Sequence, residues 1–187
     1  QHANYASFGS RSDRNKDMLS FTPRLRWRHG LGGLGSETVL GLDYYDGDVD
    51  ARYSTAPRQK ASQTSSAAYF QNVTSLSEAW ALTLGVRSQR LEQDAHQDAY
   101  PPWFSPAVDG SATRRRNAWD LGASYSGQGW RAYGKAGTTF RFPNTDELFG
   151  FSAILGVPVF AGDLKPQHGT IIELGGSFAL GPLQGRA

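Results

Sequence analysis

From Leu19 to Arg28 the odd positions read Leu19, Phe21, Pro23, Leu25 and Trp27, and the even positions read Ser20, Thr22, Arg24, Arg26 and Arg28. Successive side chains of a strand point to opposite faces, so this alternation predicts a β-strand with one apolar and one basic face. The period recurs. Thr38 to Tyr45 sets Leu40, Leu42 and Tyr44 against Gly41 and Asp43, and Trp80 to Gln89 sets Trp80, Leu82, Leu84 and Val86 against Thr83, Gly85, Arg87 and Gln89. Asn117 to Ser126 sets Trp119, Leu121, Ala123 and Tyr125 against Asp120, Gly122 and Ser124. Trp130 to Arg141 sets Trp130, Ala132, Ala136 and Phe140 against Arg131, Lys135, Thr139 and Arg141, and Thr170 to Leu180 sets Ile172, Leu174 and Phe178 against Glu173 and Ser177. A further strand, Gln63 to Thr74, has weak parity and is placed by its position. The expected class is all-β and antiparallel, without helices; 22 glycines, nine prolines and one Met suit many strands joined by turns.

Alternation fits two architectures. In a soluble sandwich the apolar face is core; in a transmembrane barrel it faces lipid. The connections after the first, third and fifth strands are short (29–37, 75–79, 127–129), whereas those after the second, fourth and sixth are long (46–62, 92–116, 142–169). Successive antiparallel strands reverse direction, so short turns gather at one end and long loops at the other, as in outer-membrane barrels. Trp27, Trp80, Tyr125 and Trp130 all lie on the apolar face beside short turns, the placement expected of an aromatic girdle at a membrane interface. The opposite faces carry charges of both signs, which suits a polar lumen.

Composition excludes other classes. A net charge of +2 gives no basis for nucleic-acid binding despite a sequence pI of about 9.0, and Arg114, Arg115 and Arg116 read as a solvated strand entrance. With no cysteine, thiolate sites and disulfides are absent. No apolar run approaches the ~20 residues of a transmembrane helix, and the mean hydropathy is −0.50. The chain opens on Gln1 with no signal-peptide pattern and is read as a middle segment of a longer protein. His2, His29, His96 and His168 stand in no metal-ligand spacing, and no nucleophile elbow occurs, so neither an enzyme nor a bound cofactor is expected. Asp43, Asp46, Asp48 and Asp50 lack the glycine and distal Glu of an EF-hand and read as a solvated loop.

The stretch TTFRFPNTDELFGF contains Phe140, Arg141, Pro143 and Asn144, followed by Glu147 and Leu148. It resembles the Phe-Arg-x-Pro … Glu-Leu signature of TonB-dependent outer-membrane receptors. DLKPQHGTIIELG resembles the same family's Leu-Lys-Pro segment through Leu164, Lys165 and Pro166, with Glu173 in the strand that follows and Gln167 where the family usually has Glu. Smaller echoes lie in TPRLRW and LTLGVRSQR, so the resemblance covers Ser20 to Gly176. It implies about seven strands of a larger barrel of about 22, with the plug domain, TonB box and C-terminal strands outside these residues. It further implies uptake of a scarce ligand, in first place an iron-siderophore, otherwise cobalamin or haem, with outer-membrane lipid and the TonB complex, reached through the plug, as partners. No His lies between Asn144 and Leu164, which disfavours haem. Physically, Pro143 removes a ladder donor and ends pairing, so the motif reads first as a strand exit. Candidate ligand-contacting loop residues are Arg52, Arg58, Tyr100, Trp103, Phe104, Phe149 and Phe151, whose rings and cations can hold an anionic chelate. The alternatives are a passive porin-type barrel and a soluble β-sandwich binding module.

Overall fold

A two-residue reversal falls at Leu31-Gly32-Gly33-Leu34, where the two glycines take φ of +59° and +84°. Residues with a Cβ rarely adopt such angles, and positive φ at both turn positions gives a turn whose twist matches the flanking strands. A computed structural model describes residues 2–7, 10–54, 56–152, 157–180 and 183–186. In chain order its strands are β1 (His2–Ser7), β2 (Ser10–Phe21), β3 (Arg24–Leu31), β4 (Leu34–Tyr53), β5 (Gln59–Ser75), β6 (Trp80–Gln97), β7 (Val108–Gly127), β8 (Trp130–Arg141), β9 (Phe149–Ser152), β10 (Val157–Phe160), β11 (Gln167–Leu180) and β12 (Leu183–Arg186). The helical segments are two 3₁₀ turns, Pro101–Trp103 and Thr145–Leu148.

All but β9 and β10 form one antiparallel sheet in the order β1-β2-β4-β5-β6-β7-β8-β11-β12, with β3 also paired to β4. β2 and β3 act as a single strand. Phe21 lies opposite Tyr44 and Arg24 opposite Gly41, so the register is unchanged across the break. Leu42 N donates to Pro23 O at 3.1 Å, and only the missing proline donor interrupts the ladder. β1 and β12 end the order, and the sheet does not close on itself among the described residues.

The two faces differ as the alternation predicts. On one, Leu42, Leu84, Leu121 and Leu174 are 57%, 44%, 53% and 81% exposed. No second sheet covers them among the described residues. The other face carries a cross-strand polar ladder: Arg87 Nη1 donates to Asp43 Oδ2 (2.7 Å), Gln89 Nε2 to Ser65 Oγ (2.9 Å), Gln93 Nε2 to Gln63 Oε1 (2.9 Å) and Gln59 Nε2 to Gln97 Oε1 (2.9 Å). The β9–β10 hairpin lies over this polar face. Its Phe160 ring fills the space above Gly110, where a Cβ would sit 2.0 Å from a ring carbon.

All seven expected strands are present, but several run further than the alternation shows. β4 and β7 have 20 residues each, β6 has 18 and β5 has 17. Most of the long connections 46–62 and 92–116 is therefore strand, leaving 54–58 and 98–107 as loops. Asp46, Asp48 and Asp50 accordingly stand on β4 rather than in a solvated loop, and residues before Leu19 form β1 and most of β2. The period-two signal reverses its phase there: Asp46, Asp48 and Asp50 share the outward face with Thr64, Ser62 and Lys60, while Val49, Ala51 and Ala61 lie on the inward one. Ladder hydrogen bonding continues regardless.

Leu42 lies mid-band on the apolar face, between Leu40 and Tyr44. Leu42→Arg is expected to cost about 2–4 kcal/mol when the full-length protein is unfolded by guanidinium from lipid vesicles. Thr83→Arg on the polar face of β6 is expected to cost far less; equal losses would contradict the assignment of faces.

Candidate functional site

The long connection between β8 and β11 begins with the motif. Phe140 is the last outward-facing residue of β8, its ring 5.2 Å from that of Phe142. Arg141 faces inward, and its Nη2 donates to Glu147 Oε1 at 2.6 Å. The other carboxylate oxygen of Glu147 accepts from Asn144 N at 2.7 Å, while Glu147 N donates to Asn144 O at 3.1 Å. One glutamate therefore fixes the strand end and caps the 3₁₀ turn, the reciprocal geometry of a capping box. Leu148 closes the turn with no exposed surface, and its carbonyl accepts from Ala161 N at 2.8 Å, which returns the chain beside it.

Two side chains that the sequence reading did not assign to the site tie this loop to the wall. Gln93 of β6 is 1% exposed and donates through Nε2 to Pro143 O at 3.0 Å. Its Oε1 accepts from Arg114 Nη1 of β7 at 2.8 Å. Arg114 in turn donates from Nε to Leu164 O (3.0 Å) and from Nη2 to Gly162 O (3.1 Å). The Gln93–Arg114 pair thus joins the Pro143 segment to the Leu164 segment. Arg114 is 8% exposed, which corrects its reading as part of a solvated strand entrance. It has no carboxylate partner among the described residues, and its charge is held by three neutral oxygens. A buried cation is tolerated only when so fully bonded. Parity was the available signal: Arg114 lies opposite inward Leu91, and Arg115 opposite outward Arg90.

Beside the motif, Asn144 and Thr145 line a cavity of about 310 Å³ on the inner face, with Arg14, Lys16, Met18, Tyr45 and Gln63 among its walls. Arg14 and Lys16 begin an inward run of cations that Arg24, Arg26 and Arg28 continue at the same parity. Glu37 answers the lower end, 3.4 Å from Arg26 and 2.9 Å from Arg28. The cavity therefore combines cationic, amide and phenol groups, a set suited to a polyanionic or oxygen-rich ligand.

The remaining candidates are scattered. Leu164 has an exposed side chain, as does Lys165, and Pro166 is half-buried. Glu173, inward on β11, accepts from Tyr133 Oη at 2.9 Å and lies opposite Lys135. Arg58 and Arg52 both pair with Asp50, the former bidentately through Nε at 2.7 Å and Nη2, the latter at 3.5 Å. Tyr100 bridges to Ser105, and Phe104 is 93% exposed at φ +52°. Phe149 is half-buried, while the side chains of Trp103 and Phe151 lie outside those described. On the outer face, Trp80, Tyr125 and Trp130 form a row with centroids 4.9 Å apart at each step. Trp27 stands apart, 4.3 Å from the His29 ring.

Arg114→Ala is expected to raise amide exchange about 10- to 100-fold in both 144–148 and 160–164, because charged hydrogen bonds of roughly 1.5–3 kcal/mol are lost. Arg114→Lys is expected not to restore protection, since one ammonium nitrogen cannot reach oxygens set around three separate guanidinium nitrogens; loosening of one segment alone would contradict a shared anchor. Above the apolar band, the Arg58 guanidinium holds the Asp50 carboxyl down to about 2 from 3.8. The folded pKa is depressed, so the pair's stabilisation is present above pH 3.8 and is lost as pH falls through about 2. Arg58→Ala is expected to return the Asp50 titration, followed by carboxyl-carbon NMR, toward 3.8.

A family model described as TonB dependent receptor-like, beta-barrel, matches residues 2–187. No curated protein sequence matches the chain. Among solved structures, the chain is similar to the unliganded ferric citrate transporter FecA, with a TM-score of 0.74 and 14% identity over 95% of this chain and 27% of that one. It is also similar to the closed form of the ferric-catecholate import receptor Fiu from E. coli K12, with a TM-score of 0.73 and 13% identity over 90% and 29%. The alcaligin outer membrane receptor FauA from Bordetella pertussis gives a TM-score of 0.69 and 20% identity over 91% and 27%. The chain therefore spans less than a third of the length of each of these, and identities this low speak to fold. With the family model matched along almost its whole length and receptor barrels sharing its fold, the chain belongs to the TonB-dependent receptor-like β-barrel family.

Proposed function

We propose that this chain is part of the barrel of a bacterial outer-membrane receptor that takes up a ferric siderophore by TonB-coupled transport. The observation that carries the reading is the family match over residues 2–187, joined to a motif loop folded against the polar face beside a cationic cavity. Ferric siderophores expose carboxylate, catecholate or hydroxamate oxygens, which cations such as Arg14 and Lys16 and the Asn144 amide can bind. The similar structures are described as receptors or transporters of ferric citrate, ferric catecholate and alcaligin, in keeping with that ligand class. The Trp80–Tyr125–Trp130 row at the short-turn end suits the periplasmic interface, and the apolar band between it and the polar strand tops suits lipid. The plug, the TonB-contacting segment and the strands that close the barrel belong, on this reading, to the rest of a longer protein.

The test is growth of a strain deleted for the full-length gene on single siderophores under iron limitation. Loss of growth on one siderophore is expected, restored by the wild-type gene and reduced by a Lys16→Glu variant that still reaches the membrane. Uptake that persists after the inner membrane is de-energised, with steady conductance of the purified protein in bilayers, would identify a passive porin instead.

A further inference from the structure

The outer face carries a groove of about 600 Å³ across β4 to β7, where β5, β6 and β7 leave the apolar band. Leu40, Phe70, Val86 and Trp119 form its apolar part; they lie in neighbouring strands on the outward parity, Leu40 opposite Phe70, Phe70 opposite Val86 and Val86 opposite Trp119. The small side chains of Ala68 and Ser88 keep it open on the side away from the short turns. At that end stands Arg115, exposed, with Nη2 3.5 Å from Ser88 Oγ. Arg90 lies directly opposite Arg115 in the β6–β7 register.

Two arginines facing each other across neighbouring strands repel, and the arrangement calls for an anion. Glu92 pairs with Arg90, leaving one positive charge in excess over the three groups. That charge is four residue pairs above Val86 and Trp119, at the level where an apolar band gives way to headgroups. Cation above, apolar trough below: the complement is an amphiphile with a phosphate at one end and a hydrocarbon chain at the other.

We infer that this groove is a specific site for one phosphate-bearing lipid of the outer leaflet, with its phosphate on Arg115 and Arg90 and one acyl chain along Phe70, Val86 and Trp119. The inference rests on the outer-membrane reading above, which sets the strand tops toward the outer leaflet. It is independent of which ligand is transported, since the groove and the cationic cavity lie on opposite faces.

The experiment uses the full-length protein in detergent, with bound lipid counted by native mass spectrometry after addition of bisphosphorylated lipid A or its dephosphorylated form. Wild type is expected to retain the phosphorylated lipid preferentially. Arg115→Ala is expected to weaken retention at least about tenfold, as loss of a charge-assisted hydrogen bond predicts. Arg116→Ala, which removes the same charge one residue along on the inner face, is expected to leave it unchanged. Equal retention by the Arg115 and Arg116 variants, or of the two lipids by wild type, would overturn the lipid site alone. A full-length protein that shows no heat-modifiable barrel in detergent would overturn the outer-membrane reading and the site together.

Discussion

Lipid offers no hydrogen bonds, so a chain with this outer face must satisfy its backbone within the sheet. The ladder from β1 to β12 does most of this. Where β7–β8 pairing stops at Asp120 and Gly137, Trp119 N donates to the Thr138 hydroxyl at 3.2 Å instead. The rest of the structure depends on this ladder. It tolerates Pro23 because the register is the same on both sides, so no side chain changes face. It fixes which residues reach lipid, which reach the interior and how far the strands rise above the apolar band. The two edges at β1 and β12 are where the remainder of a barrel would pair.

On the inner face the same parity assembles Gln63, Gln93 and Arg114 into a chain of hydrogen bonds that ends on the backbone of the motif loop. The family motif ends at Leu148 and the later Leu-Lys-Pro segment begins at Leu164, yet both are held by adjacent side chains of the wall. Glu147 performs the local part, joining Arg141 to the first turn of the loop. The β9–β10 hairpin between these anchors is consequently presented from a fixed base, with Phe160 seated over Gly110. A loop so placed narrows the interior beside Arg14 and Lys16 rather than projecting freely from the strand ends.

Where one face met an apolar environment and the other a polar one, the strands were legible: Trp80 to Gln89 and Asn117 to Ser126 fall inside observed strands, and Leu19 to Arg28 on β2 and β3 either side of Pro23, all with the expected parity. Above the band the alternation changes phase, with Asp46, Asp48 and Asp50 outward and Val49 and Ala51 inward, so the apolar outer face stops there and Asp46 to Asp50 read as loop although they continue β4. The motif was legible as a strand exit because proline chemistry is local. Its anchors were not, because Gln93 and Arg114 lie 50 residues from their loop partners and are polar residues in polar surroundings. The partner of two candidate cations was likewise not legible: Asp50 engages both Arg52 and Arg58.

Sequence by itself determined the strand class, the two-faced character of each strand, the separation of short turns from long connections and the family resemblance, since all of these follow from period, turn chemistry and local motif. Tertiary structure decided which arginine of Arg114, Arg115 and Arg116 is buried under the loop and which stands beside an apolar groove outside. It also decided that Gln93 links two distant segments and that the motif borders a cationic cavity. The physical reason is register: a single alternation says which residues share a face, but only the pairing of strands says which of them meet.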